Sequence, residues 1–179
     1  MYQLDEIILK RQSCRSYEPK SVARRDIIKC LEAARFAPSA CNSQPWKFTV
    51  VTEPQKKTEL ADLLKILGGN KFADEAPVLI AVIEEACPTL MPGVLKKWNC
   101  KHFSHGDIGI AVAHLTLKAA DIGLATCIMG TFEDKDVKEL LNIPEKDTVR
   151  VIISLGYPSN SEVKGKNRKN LDDIANFIE

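Results

Sequence analysis

Residues 38 to 46 read Pro38-Ser39-Ala40-Cys41-Asn42-Ser43-Gln44-Pro45-Trp46, a run of turn formers and neutral hydrogen-bonding side chains. Asn42 and Gln44 carry amide donors and acceptors, Ser39 and Ser43 carry hydroxyls, and Pro38 and Pro45 restrict the backbone between them. A polyol chain or the edge of a heterocycle needs this mixture, although a capped turn that satisfies its own backbone would use the same residues. Cations stand near both chain ends, in Arg11-Gln12-Ser13-Cys14-Arg15 and in Lys166-Asn167-Arg168-Lys169. A guanidinium is a planar fork that suits phosphate. Arg11 and Arg15 are four apart, so a helix continuing through them would put both on one face with the Ser13 hydroxyl between. Charge pairs on a solvated helix end are usually without function. The combination of the three segments, rather than any one of them, points to a shared anionic ligand.

Other chemistries lack their residues. No Gly-x-Gly-x-x-Gly follows a strand, no Gly-rich loop ends in Gly-Lys-Ser or Gly-Lys-Thr, and no Gly-x-Ser-x-Gly elbow is present. His114 falls inside an apolar helical pattern and reads as a core or interface histidine. Cys100, His102 and His105 lie within six residues but have no fourth ligand nearby, so a plain loop is favoured over zinc. A chain without an evident acid, base or nucleophile takes its chemistry from a cofactor.

The elements that must position these residues follow from the apolar spacing. Helices are expected over Tyr2 to Leu9, Val22 to Ala37, Pro54 to about Leu67, Gly106 to Ile122 and Lys135 to Leu141. Strands are expected over Trp46 to Val51, Val78 to Ile83, Ala125 to Met129 and Val149 to Leu155. The apolar residues of Gly106 to Ile122 populate both sides of the helix, which requires burial all round and, in so small a chain, a second subunit. Cys87 to Phe103 has no period and reads as a lid that sets substrate choice. Helices and strands alternate as parallel βαβ units would.

Composition narrows the class. The 179 residues fit one domain, 1–179, and about 70% of the unfolded surface can be buried. With 45% hydrophobic and 27% charged residues and a net charge of +1, no nucleic-acid partner is expected. No apolar stretch reaches the roughly 20 residues of a membrane span. The N-terminus has neither a secretion signal nor a transit-peptide pattern, so a cytoplasmic location is the default. Six cysteines without a Cys-x-x-Cys pair fit reduced thiols.

Arg11 to Arg15, then Ala33 to Trp46, then Gly123-Leu124 leading to Met129-Gly130, then Gly156-Tyr157-Pro158 and Lys166-Asn167-Arg168, together resemble the FMN-dependent nitroreductase family over nearly the whole chain. The resemblance implies an α+β fold with a central, mainly antiparallel sheet flanked by helices, which replaces the parallel reading. It implies a homodimer whose C-terminal segment reaches the partner and whose FMN lies at the interface. Carried over, Arg11, Gln12, Ser13 and Arg15 form the N-terminal FMN group, with Lys166 and Arg168 meeting the phosphate. Pro38, Ser39, Ala40, Asn42 and Gln44 resemble the segment given to the partner's flavin. Ile128, Met129 and Gly130 match the strand passing the ring, with a backbone amide of Met129 or Gly130 near N5, and Asn70 falls near the pyrimidine edge. The implied reaction passes hydride from NADH or NADPH to flavin and then to a nitroaromatic, quinone or similar small acceptor. A reductive dehalogenase on the same fold, or a flavin-binding storage or sensor protein, are the alternatives.

Overall fold

A computed structural model describes residues 3–86, 88–99, 101–160 and 162–179. In chain order the elements are α1 (Leu4–Lys10), α2 (Arg24–Arg35), β1 (Trp46–Val51), α3 (Pro54–Leu63), β2 (Val78–Glu84), α4 (Pro92–Leu95), α5 (Ser104–Asp121), β3 (Ala125–Met129), α6 (Asp134–Leu141) and β4 (Thr148–Gly156). The strands form one sheet in the order β1-β2-β4-β3, and every pairing is antiparallel. The βαβ reading therefore fails. An antiparallel neighbour must start at the end where its partner stopped, and α3 with its following turns brings the chain back to that end rather than across the sheet.

Strand alternation divides the core into two layers. Val78, Ile80 and Val82 of β2 join Ile153 and Leu155 of β4 in packing against Ile27 and Ala34 of α2 and Ile108, Ala111 and Leu115 of α5. Leu79, Ala81 and Ile83 face the other way, with Ile152, towards Leu60 and Leu64 beside α3 and Val137 of α6. With helices on both faces, β2 is buried at every position, which is why it reads as an unbroken apolar run. Each fully buried Leu or Ile contributes about 1.5–3 kcal/mol.

Helix ends depart from the apolar spacing where backbone capture wins. α3 stops at Leu63 rather than near Leu67, because the Leu64 carbonyl accepts from the Asn70 side-chain amide at 3.1 Å. Leu67 then adopts φ 55° and is 95% exposed. α2 ends at Arg35, and the backbone tightens into a turn before Pro38. Gly156 closes β4 where only glycine fits: an added Cβ would lie 2.6 Å from Pro77 Cδ and 2.8 Å from the Tyr17 ring.

The β2–β4 ladder carries a bulge. Val82 faces Val151 while Ile83 faces Val149, so Arg150 is the extra residue. Its guanidinium meets the fully buried Glu84 carboxylate through Nε and Nη2. Glu84 also accepts from Ser104 Oγ at 2.5 Å, which pins the start of α5 to the sheet. Along α5, Ile108, Ala111, Val112, Leu115 and Ala119 are buried, but Gly106, Gly109, Ile110 and Ala113 are exposed in the single chain. Burial all round is thus met on the core side only. Among the described residues no helix is long and apolar enough to cross a membrane.

Candidate functional site

α1 ends at Lys10, and Arg11 is already extended at φ −61°, ψ 114°. The helical face expected for Arg11 and Arg15 therefore does not exist. The run forms a bridge at Ser13 to Thr126 of β3, with Cys14 N donating to Thr126 O at 2.9 Å. In extended backbone the period is two, so Arg11, Ser13 and Arg15 still share a side. Gln12 clamps the C-terminal segment, donating to Glu162 O at 2.8 Å and accepting from Lys164 N at 3.2 Å. Further pairing comes from Ser159 N to Ser16 O and Glu18 N to Tyr157 O.

That clamp brings Lys166 to Arg11. Lys166 Nζ donates to Ile8 O at 2.6 Å, and Arg168 Nη1 to Asn167 O. The ammonium of Lys166 is held below its usual range, first by burial and then by repulsion from Arg11 and Arg168. Cations from opposite ends of the chain therefore converge as expected. Near them Gln12, Ser13, Arg15, Asn160, Glu162 and Lys164 line a cavity of about 360 Å³. Burial pushes the Cys127 thiol up, with Arg15 pulling it down.

The strand residues fall as alternation requires. Met129 is buried and Ile128 exposed, so Met129 has only its backbone to offer outward. Gly130 is exposed, and an added Cβ there would meet nothing within 4 Å.

The Pro38 to Pro45 loop stands apart from this group. Residues 40–42 make a 3-10 turn in which Cys41 and Asn42 take φ 53°, and Gln44 follows at φ 47°. Three left-handed residues without a glycine are costly backbone. The loop is held by Ser39 Oγ accepting from Gln44 N at 2.9 Å and by Gln44 Nε2 reaching Asn42 Oδ1 at 3.2 Å. Ser43 Oγ is buried with no hydrogen-bond partner among the described residues. Asp107 Oδ2 accepts from Ala40 N at 3.1 Å, tying the loop to the first turn of α5. Sequence reading passed over Asp107, whose trace was an acid near the start of a largely apolar helical pattern. It likewise missed the Gln12 clamp, which no local pattern announces.

Thr116 and Ala120, near the far end of α5, line a second cavity with Arg11. Asp107 and Ala120 are 13 residues apart, about 20 Å along a helix. Within one chain the cationic group and the loop therefore occupy opposite ends of α5. Asn70 lies elsewhere again, at φ 49°, with its amide donor committed to Leu64 O. Of the three residues considered for zinc, His102 stacks edge-on against Phe103, His105 Nε2 stands 3.7 Å from Glu84, and Cys100 lies outside the described residues.

Comparison with known proteins identifies the pattern. A model of the family described as "Nitroreductase family" matches residues 8–67 and 64–157. An NADH dehydrogenase of Thermus thermophilus is 29% identical over 176 residues, covering 84% of either chain. An iodotyrosine deiodinase of Thermotoga neapolitana is 24% identical over 186 residues, covering 92% of this chain and 93% of its own. An FMN-dependent nitroreductase from Clostridium difficile has a solved structure that superposes with a TM-score of 0.73 at 29% identity, over 94% of this chain and 92% of that one.

Proposed function

The chain belongs to the Nitroreductase family, and from that premise we propose that it is an FMN-dependent oxidoreductase taking hydride from NADH or NADPH and delivering it to a nitroaromatic, quinone or similar small acceptor. All 179 residues are read as one FMN-binding domain, working as a homodimer in a reducing cytoplasm that suits the free thiols of Cys14, Cys30, Cys41 and Cys127.

The observation that carries the reading is the gathering of Arg11, Lys166 and Arg168, whose mutual repulsion an anion would relieve. These residues fit a phosphate: two planar forks and an ammonium, held by a clamp that leaves them facing outward. When bound, FMN would supply the hydride-accepting centre that the side chains lack. The protein's part is positional. Ser13 and Arg15 share the side of Arg11 and would extend the polar contacts along the cofactor. Ile128 and the open backbone at Met129 and Gly130 offer a surface and an amide to a ring. The strained Pro38 to Gln44 loop would contribute Ser39, Asn42 and Gln44, and the orphaned Ser43 hydroxyl lies among them.

A homodimer reconciles the two distant halves. If two copies of α5 pack antiparallel about a twofold axis, the loop end of one meets the cationic end of the other. The exposed stripe of Gly106, Gly109, Ile110 and Ala113 lets such helices approach closely. The C-terminal residues Phe177 and Ile178, 80% and 99% exposed, would reach the partner and be covered by it.

The deiodinase relative keeps a dehalogenase reading in view. Gripping an amino acid's ammonium needs an available carboxylate beside the lid, yet Glu84 is taken by Arg150 and Ser104 and Glu85 by Lys47 at 2.7 Å. The test is the absorption spectrum of the purified protein, followed by anaerobic addition of NADH and then NADPH. A yellow protein that bleaches within seconds and recovers on adding a nitroaromatic or quinone supports the proposal. A yellow protein that stays oxidised favours storage or sensing, and a colourless one that takes up no FMN overturns it.

A further inference from the structure

We propose, resting on the reading above, that the ring face formed by Trp98, His102 and Phe103 is an acceptor subsite selective for planar aromatic anions. The segment that carries this face is flanked on either side by a contact to the candidate flavin loop: on its N-terminal side, before Met91, Glu85 N donates to Pro45 O at 3.1 Å, and on its C-terminal side, in the first turn of α5, Asp107 Oδ2 accepts from Ala40 N at 3.1 Å. Ser104 is further pinned to buried Glu84. The stretch therefore travels with the loop to whichever flavin the loop serves.

Its surface combines rings with one sign of charge. Trp98, His102 and Phe103 cluster with ring centroids 4.6–6.0 Å apart. Trp98 keeps 37% of its surface exposed and Met91 60%, an apolar face of the kind that stacks on planar rings. Lys97 Nζ stands 4.9 Å from the centre of the Trp98 ring, and Lys101 Nζ 3.4 Å from Thr148 Oγ1. Lys96 adds a third ammonium, while no Asp or Glu occurs between Glu85 and Asp107. The flanking acids are already engaged, Glu85 by Lys47, Glu84 by Arg150 and Asp107 by the Ala40 amide. With Glu84 and Glu85 each paired to a cation, Lys96, Lys97 and Lys101 outweigh the remaining charge of Asp107, so the balance around the rings is positive. A ring bearing a carboxylate, sulfonate or phenolate gains both the stack and the charge, whereas a neutral or cationic ring gains the stack alone.

The experiment measures equilibrium binding to the oxidised holoprotein by titration calorimetry, with no electron donor present. The probes are 4-nitrobenzoate, 4-nitrobenzyl alcohol and 4-nitrobenzyltrimethylammonium. The expected result is nitrobenzoate binding about tenfold tighter than the cationic probe at low salt, the gap shrinking as screening grows. Lys97→Gln with Lys101→Gln should reduce the anion-to-cation ratio of Kd about fivefold, and Trp98→Ala should weaken all probes with the ratio kept. Equal binding of the three probes overturns the inference, as does a charge preference that ignores salt or survives the lysine changes. The salt series needs no variant, so a misfolded mutant leaves the test intact. Flavin content, read from absorbance beforehand, separates the two levels: a protein that takes up no FMN defeats the underlying reading, whereas a flavin-loaded protein indifferent to charge defeats only the subsite.

Discussion

Two clusters of charge stand near opposite ends of α5. At its start, Glu84 is buried within the sheet and compensated by the Arg150 guanidinium and the Ser104 hydroxyl. At its far end, Arg11, Lys166 and Arg168 gather with one sign, and burial together with the two guanidiniums holds the Lys166 ammonium below its usual range. The first cluster spends its charge internally and holds the helix to the sheet. The second spends stability to keep charge available, which is how a binding site for an anion differs from a structural ion pair.

The largest effect should come from breaking the compensated cluster. Arg150→Ala leaves the fully buried Glu84 carboxylate without its guanidinium and should cost about 4 kcal/mol of unfolding free energy, measured by denaturant titration. A loss below about 1 kcal/mol would show that the pair is not the anchor and collapse the contrast. The cationic cluster should answer in the opposite currency. Arg11→Ala combined with Arg168→Ala should weaken FMN binding by about 3 kcal/mol, roughly a hundredfold or more in Kd, while leaving the thermal midpoint of the apoprotein unchanged or raised. Full FMN retention by a folded double variant would refute the phosphate assignment.

The smallest effect is the dependence on pH. The folded-state pKa of Lys166 lies below the 10.5 of an unperturbed lysine, so the unfolded chain holds the proton more tightly. The penalty is fully present below the folded value and is lifted as pH rises through it towards 10.5. Apoprotein stability measured from neutral pH upward should therefore rise slightly relative to Lys166→Gln. With FMN bound, the phosphate should reverse the sign, because the neighbouring anion then favours the charged amine. Identical pH profiles for the two proteins would indicate that the three cations do not feel one another.

Much of this arrangement was visible before any fold was considered. β2 declared itself by an unbroken apolar run, α5 by apolar residues on both sides, and the loop by its density of turn formers. The helical basis on which Arg11, Ser13 and Arg15 were grouped did not hold, since α1 ends at Lys10. A spacing of four serves a helix, but four is also even, so an extended strand presents the same residues on one side. The end of α3 was misread because the competition lay with Asn70, whose amide captures a carbonyl six residues earlier.

Residue types and short spacings thus determined which groups carry charge, which segments are apolar and which backbone must turn, since each of these depends on neighbours within a few residues. Only the tertiary structure decided that Gln12 clamps residues 162 and 164, that Arg150 is extruded by a bulge towards Glu84, and that Asp107 holds the loop. Those contacts join residues tens to more than a hundred positions apart. Their closure entropy is met by the two-layered core as a whole, so no local pattern in the chain has to announce them.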